Sequence, residues 1–189
     1  NGDQYSDLAT CAYQTDPGGR INAGSCYVLY GRSTPLSTGT FDLLNLSENE
    51  GFKIHGEMAG DNLGIGCSSL GDINGDGYDD FTFSARMASP DNKTFAGRSY
   101  VLFGRPTPIS GGIFNLENLN SSDGFSLDGE AAGDESGKHV ASAGDINHDG
   151  YPDLFIGAKY SDPQNRTDAG RGYVVYGGPN ISNHNTSLS

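Results

Sequence analysis

Two acidic segments of this 189-residue chain have the residue types and the spacing of a cation-binding loop. Residues 72–80 read DINGDGYDD and residues 145–153 read DINHDGYPD, so oxygen-bearing side chains stand at positions 1, 3, 5 and 9 of each. A hard cation such as Ca²⁺ takes about six to eight oxygen ligands, and alternate side chains can point inwards when a chain curls around it. The predicted ligands are Asp72, Asn74, Asp76, the backbone carbonyl of Tyr78, and Asp80 in the first segment, and Asp145, Asn147, Asp149, the carbonyl of Tyr151, and Asp153 in the second.

The residues that follow these two segments predict that each loop connects two β-strands, rather than two helices. An EF-hand has the same first half of the loop but needs a bidentate Glu at position 12, on a helix. Position 12 here is Phe83 in one segment and Ile156 in the other, and both lie in strand-like apolar runs. Asp, Asn and Gly also form turns without any metal. Because both copies fill all four oxygen positions in one register, we predict metal binding.

A third, incomplete copy of the loop occupies residues 1–7, where NGDQYSD aligns with residues 74–80. Position 1 of the loop is missing from it. Gln4 replaces Gly77, which is predicted to make the sharp turn, and a non-Gly residue at positive φ costs about 1–2 kcal/mol. We therefore predict that this site is weak or empty. Its candidate ligands are Asn1, Asp3, the backbone carbonyl of Tyr5, and Asp7.

The acidic loops belong to a long internal repeat of constant period. The segment AGSCYVLYG at 23–31 returns as AGRSYVLFG at 96–104 and again, after the same interval, as AGRGYVVYG at 169–177. GFKIHGE at 51–57 returns as GFSLDGE at 124–130, and these two segments are separated by the same interval as residues 23 and 96. Repetition at a fixed period of this kind is typical of propellers and solenoids, in which neighbouring units cover each other's apolar faces.

Each repeat contains four short runs rich in β-branched and aromatic residues and bounded by Gly, Pro, Asn or Asp, which is the pattern of β-strands. No segment keeps a helical apolar period, although residues 43–46 and 116–119 could each form one helical turn. The predicted strands are residues 66–70, residues 81–85 with 154–158, residues 100–103 with 173–176, and residues 125–127 with 52–54.

These patterns predict an all-β protein built from β-propeller blades of four antiparallel strands. The register divides the chain into a partial first repeat at 1–50, a full repeat at 51–123 and a second, C-terminally incomplete repeat at 124–189. That makes a partial or open propeller of about two and a half blades, whereas a closed ring needs at least about four. We expect either a fragment of a longer chain or an assembly of several chains.

The repeated segments resemble a known family. GDNLG at 60–64, GDINGDGYDDF at 71–81 and AGRSYVLFG at 96–104 are similar to the FG-GAP repeat of integrin α-subunit propellers, in the long calcium-loop form of large microbial surface proteins. The resemblance covers nearly the whole chain. It implies a seven-bladed ring with calcium on the loop joining strands one and two of a blade, an extracellular location, and roles in adhesion or recognition. The GAP triplet departs from the family, reading SAR at 84–86 and GAK at 157–159, and the chain is too short for seven blades.

Composition and motifs argue against several other classes of function. The formal net charge is −13, which repels phosphate backbones, so we expect no nucleic-acid partner. No apolar run approaches the length of a membrane span, so we expect a chain that does not cross a membrane. The sequence contains no G-x-S-x-G, H-E-x-x-H or P-loop motif, and we expect that the chain is not an enzyme.

The cysteines suggest one covalent link. Cys11 and Cys26 align with Ser84 and Ser99 of the next repeat, on neighbouring strands of one hairpin. Their joint appearance at that pair of positions favours a cross-strand disulfide, and two free buried thiols are the alternative. Cys67 is predicted to be a buried apolar side chain, because it aligns with a valine of the next repeat.

Two N-x-S/T sequons share one register of the repeat. Asn92 and Asn165 lie exactly one period apart, on what should be matching loop tips. In a secreted eukaryotic protein both would be glycan acceptors, whereas turns rich in Asn and Ser also generate sequons by chance.

The leading functional hypothesis is a calcium-stabilised extracellular propeller segment that serves adhesion, recognition or structural assembly at a cell surface. Its expected partners are a protein or glycan ligand on a cell surface or matrix, and further repeats of the same chain or other copies. A carbohydrate-binding, lectin-like propeller is one alternative, since Tyr-rich loops could stack on sugars, although the chain has no Trp. An accessory domain of a secreted enzyme is another.

Overall fold

The structure is a computed structural model that describes residues 1–34, 40–183 and 188. Short strands predominate in that part of the chain, and its helical segments are single 3₁₀ turns, none of them long or apolar enough to cross a membrane. The strands are β1 (Leu8–Ala12), β2 (Ser25–Leu29), β3 (Gly51–His55), β4 (Leu63–Gly71), β5 (Asp80–Ala85), β6 (Arg98–Leu102), β7 (Ile113–Asn115), β8 (Gly124–Asp128), β9 (Ser136–Gly144), β10 (Asp153–Ala158) and β11 (Arg171–Val175).

The strands form three sheets that stand side by side as propeller blades. The first blade has the order β1-β2-β3-β7, the second β4-β5-β6-β8, and the third β9-β10-β11. Every pair within the second and third blades is antiparallel. β4 lies against β1, the counterpart of β5, on one side and against β9 on the other, so β4 and β9, the inner strands of the second and third blades, are neighbours. The chain is therefore a partial, open β-propeller, and the prediction of an all-β fold of this type is confirmed.

Every predicted strand overlaps an observed strand, and the predicted and observed bounds differ most at β4, the inner strand of the second blade. The run predicted at 66–70 extends over the whole of β4, from Leu63 to Gly71. Its pairing with β5 is interrupted by register shifts between Leu63 and Gly66 and between Ser69 and Gly71. Bulges of this kind bend a strand without ending it, so a run that looks broken in the sequence continues in the structure.

Two connections between strands have details that the sequence pattern did not specify. The segment between β6 and β8 contributes β7, which pairs in parallel with β3 of the first blade, so that blade is not purely antiparallel. One of the two suggested helical turns is present, as a 3₁₀ turn at Leu116–Asn118. The other, at 43–46, contains a simple turn and no helix.

The apolar core lies between the blades. One cluster joins the first and second blades and includes Ile54, Leu63 and Phe83. The other joins the second and third blades and includes Val101 and Leu154. A single blade has two apolar faces and cannot cover either by itself, so adjacent blades stabilise each other by burying these side chains.

The recurrent Ala-Gly pair marks the point where one blade meets the next. Gly24 adopts φ 84°, and a Cβ atom there would lie 2.2 Å from the carbonyl oxygen of Leu63. Gly97, one repeat later, adopts φ 86° and would place a Cβ 2.1 Å from the carbonyl oxygen of Ser136. Only glycine permits both the left-handed backbone and this close approach to the inner strand of the following blade.

Candidate metal centre

The two predicted metal loops lie at the same end of adjacent blades. Residues 72–79 connect β4 to β5, and residues 145–152 connect β9 to β10. Gly77 (φ 93°) and Gly150 (φ 95°) occupy position 6 of their loops in the left-handed region, where a side chain would be strained. The structure thus has the sharp turn that the sequence predicted at this position.

Backbone N–H groups within the first loop point at its own carboxylates. Asp72 accepts bonds of 2.7, 2.9 and 2.8 Å from the amides of residues 75–77. Asp76 accepts a 2.9 Å bond from the N–H of Tyr78 and another of 2.9 Å from the side-chain amide of Asn74. The loop is therefore closed around its acidic side chains by hydrogen bonds.

The second loop has the same hydrogen bonds with one exception. Asp145 accepts bonds from the N–H groups of Asp149 (3.1 Å) and Gly150 (2.9 Å), as Asp72 does from its counterparts. Asp149 accepts from the N–H of Tyr151 at 3.0 Å and from the side-chain amide of Asn147 at 2.8 Å. The bond that the first loop makes from position 4 to Asp72 has no equivalent among the bonds described for the second loop.

The carboxylate at position 9 is the buried member of each set. Asp80 is 0% exposed and accepts N–H bonds from Ile73 (2.9 Å) and Gly104 (2.8 Å). Burial raises the pKa of Asp80 to about 7 against the opposing effect of these two donors, and the charges of Asp76 and Asp72 raise it further. In the second loop, the equivalent bonds run to the equally buried Asp153 from the N–H groups of Ile146 (2.8 Å) and Gly177 (3.0 Å).

Within the described residues, no three Asp, Glu, His or Cys side chains converge on a point where they could hold a metal ion. The hydrogen bonds give the reason, because the carboxylate oxygens turn towards N–H groups instead of towards a common centre. The donor set nevertheless fits Ca²⁺: all the candidate ligands are oxygens, and no basic side chain in the described part of the chain pairs with buried Asp80. The assignment of individual ligands stays a prediction.

The incomplete loop at residues 1–7 is folded like the other two. Asp7 accepts a 2.8 Å bond from the N–H of Gly31, the counterpart of the bond from Gly104 to Asp80. Gln4 has φ 72°, so a non-Gly residue does occupy the strained position 6. Asp3 accepts a 2.9 Å bond from the N–H of Tyr5, as in the complete loops.

A disulfide joins Cys11 and Cys26, which face each other across β1 and β2. Gly64 of the next blade lies over it, and a Cβ there would be 2.4 Å from the Cβ of Cys11. The prediction that Cys67 is buried was wrong, because its side chain is exposed. Its counterpart Val140 is covered by the inner strand of the preceding blade, whereas the described residues place no inner strand beside β1 to cover Cys67.

The two sequons lie on matching loop tips, as their register suggested. Asn92 and Asn165 each end a 3₁₀ turn, at Pro90–Asn92 and Pro163–Asn165, and both are exposed with φ near 60°. Their positions leave both side chains accessible to a modifying enzyme, and their modification stays a prediction.

Sequence reasoning missed a cluster of ionic side chains that joins neighbouring blades. Arg98 binds both carboxylate oxygens of Asp128 and reaches Glu57 at 3.3 Å, while the Tyr100 hydroxyl donates to Glu57 at 2.7 Å. The signal was available, since the Glu, Arg and Tyr of this cluster all recur one repeat later. In the third blade, Arg171 pairs with Glu130, and the Tyr173 hydroxyl donates to the same carboxylate.

Comparison with known proteins agrees with the fold and the repeat. The FG-GAP repeat family matches residues 68–102 and 139–175, which contain the two complete acidic loops and the strands on either side of them. Both matches begin within the inner strand of a blade and end in its third strand. The repeat identified from the sequence is therefore the FG-GAP repeat.

Several curated proteins are similar over larger parts of the chain. Integrin alpha-PS5 of Drosophila melanogaster is 31% identical over 71% of this chain and 13% of its own length. Integrin alpha-8 of Mus musculus is 31% identical over 51% of this chain and 8% of its own length. Phosphatidylinositol-glycan-specific phospholipase D of Homo sapiens is 28% identical over 96% of this chain and 20% of its own length. The chain thus spans a fifth or less of these relatives, and its repeats, fold and similarities show it to be an integrin-α-like FG-GAP repeat protein.

Proposed function

We propose that this chain is a calcium-stabilised, extracellular propeller segment that serves adhesion, recognition or structural assembly at a cell surface. The observation that carries the proposal is the pair of acidic loops, which occupy the same register of successive repeats and are each closed by a buried carboxylate. The residues that would hold the ion are those of positions 1, 3, 5, 7 and 9 of each loop. Bound calcium would supply positive charge among carboxylates that otherwise repel one another.

The expected role of calcium is structural. Asp80 and Asp153 lie at the first residue of β5 and of β10, so an ion in the loop would be tied to the second strand of its blade. The same carboxylates hold the second residue after the third strand, through the N–H groups of Gly104 and Gly177. A bound ion would therefore stabilise the end of each blade at which three chain segments meet.

Binding, rather than catalysis, is the activity we propose for the chain. The relatives that support this are the integrin α chains of Drosophila melanogaster and Mus musculus, each 31% identical to this chain over the region they share. An extracellular location and a protein or glycan partner, with further repeats beside this segment, belong to the same proposal. A disulfide in the first blade is consistent with an oxidising compartment.

A second candidate is an accessory domain of a secreted enzyme. One specific observation favours it, namely that the similarity to the human phospholipase D covers 96% of this chain but only 20% of that protein. In this case the chemistry would reside outside the repeat, and the loops would have the same stabilising role.

The test is thermal and urea unfolding of the chain in calcium and in chelator. Sites with dissociation constants of roughly 0.1–1 mM would each add about 1.4–2.7 kcal/mol at about 10 mM calcium. A double variant of the first loop, Asp72→Asn with Asp76→Asn, should lose about half of the gain. The control, Asp3→Asn in the incomplete loop, should lose little. An unfolding transition that calcium leaves unmoved would remove the calcium part of the proposal.

A further inference from the structure

The two acidic loops are in direct contact with each other. Tyr151, whose backbone carbonyl is a predicted ligand in the second loop, lays its ring against Gly75 of the first. A Cβ at Gly75 would lie 2.5 Å from the Cε1 atom of Tyr151. One repeat earlier, the ring of Tyr78 covers Gly2 in the same way, 2.7 Å from a Cβ placed there. The contact is therefore a repeated feature of the interface between blades.

Hydrogen bonds also link the last carboxylate of one loop to the last carboxylate of the other. The N–H of Gly177 donates to Asp153 at 3.0 Å, and the next amide, of Gly178, donates to the carbonyl of Ile73 at 2.8 Å. The N–H of Ile73 in turn donates to Asp80 at 2.9 Å. These three hydrogen bonds run through two short backbone segments and connect the Asp153 carboxylate with the Asp80 carboxylate. Neither carboxylate can therefore move independently of the other.

We propose that the two cation sites are energetically coupled, so that an ion in one loop raises the affinity of the other, with Tyr151 on Gly75 as the main contact that transmits the effect. This inference rests on the proposed function. An ion that orders the second loop also fixes the Tyr151 ring and, through it, the turn at Gly75. The first loop then loses less conformational entropy when its own ion binds, which is positive cooperativity, and the effect is reciprocal.

The second loop shows how this contact can be broken. Its residue at the position of Gly75 is His148, which adopts the same left-handed conformation at φ 61°. A histidine is therefore accommodated by the backbone at this position, but its side chain would occupy the space that the Tyr151 ring fills over Gly75. Gly75→His should displace the ring while leaving the loop backbone and its candidate ligands in place.

The experiment measures calcium binding to the 189-residue chain by calorimetry, with and without the second site disabled by Asp145→Asn and Asp149→Asn. Disabling it should weaken binding to the first loop at least about fivefold, the lower end of typical coupling. In the Tyr151→Ala and Gly75→His backgrounds, the same disabling should leave the first loop unchanged. Tyr151→Phe, which keeps the ring over Gly75, should retain the coupling.

Hydrogen exchange of the metal-free chain gives a readout that needs no ion. Amides of residues 75–77 should exchange faster in Tyr151→Ala than in the wild type and at the wild-type rate in Tyr151→Phe. If each loop binds its ion with the same affinity whether the other loop is intact or disabled, the coupling is overturned and the proposed function stands. A wild-type chain that binds no calcium would overturn both, and unchanged exchange in Tyr151→Ala would overturn the role of the ring.

Discussion

Ile73 of the middle blade and Ile146 of the last blade occupy the same position of the repeat, yet one is 0% exposed and the other 49%. Val101 and Val174 differ in the same way, at 0% and 40%. The third blade covers this face of the second blade, and the described residues contain nothing that covers the same face of the third. Burial in this protein is therefore a property of the pair of blades, and identical residues contribute differently according to their neighbours.

The acidic loops differ for the same reason. In the first loop, the carbonyl of Ile73 accepts a bond from Gly178, and Gly75 lies under the Tyr151 ring. The equivalent Ile146 and His148 of the second loop have no such cover from the described residues. Since the two loops have nearly the same sequence, differences in their behaviour would measure what a neighbouring blade contributes to a site.

The largest effect is expected from truncating the matched isoleucines. Ile73→Ala should lower the free energy of unfolding by about 2–5 kcal/mol, because it leaves a cavity in the core between the second and third blades. Ile146→Ala removes a side chain that is half exposed and should cost less than about 1 kcal/mol. Urea denaturation in the presence of chelator measures both without any contribution from calcium. Equal losses would show that the third blade does not cover the second in solution.

A smaller difference is expected between the two arginines that join blades. Arg98→Ala removes both charge-assisted bonds from Asp128, whose side chain is 7% exposed, and should cost about 1–3 kcal/mol. Arg171→Ala breaks a pair whose side chains are 34% and 36% exposed, and should cost less than about 1 kcal/mol. The same denaturation experiment compares them. A larger loss of the free energy of unfolding in Arg171→Ala than in Arg98→Ala would contradict this prediction.

The third expected effect is a dependence on pH that arises at Asp80. Its pKa of about 7 in the fold is above the ordinary carboxyl value, so its ionised form is the less favourable one in the folded state. The free energy of unfolding of the metal-free protein should therefore rise as the pH falls from 8 to 5, compared with Asp80→Asn. Calcium needs the ionised carboxylate, so its affinity for this loop should fall about tenfold from pH 8 to pH 6. A constant affinity over that range would contradict the combination of a raised pKa and a ligand role at Asp80.

The repeat made most of the fold predictable. Strands such as β5 and β10 combine apolar or β-branched runs with flanking turn residues, and their recurrence at a constant interval removes the ambiguity that a single short run would have. β7 was not predictable in this way, because its three residues pair with β3, about sixty residues distant, and carry no periodic pattern. Likewise, the exposure of Cys67 depends on what lies beside the first blade, which its own residue type does not reveal.

The site was predictable in its residues and less so in its geometry. Loop composition and spacing led to the turn at Gly77 and to the position of Asp80 at the start of a strand. The hydrogen bonds that turn Asp72 and Asp76 towards amides depend on local backbone angles that the spacing does not specify. The Tyr151–Gly75 contact was missed because it joins loops of different repeats, although the same interval separates Gly2 from Gly75 and Tyr78 from Tyr151 in the sequence.

Counting the calcium ions bound to each chain tests the central claim most directly. Native mass spectrometry in millimolar calcium should find two specifically bound ions in the wild type and one after Asp145→Asn with Asp149→Asn. Asp3→Asn, in the incomplete loop, should leave the count at two. A wild-type chain without specifically bound calcium, or a count that the second-loop variant does not reduce, would contradict the account.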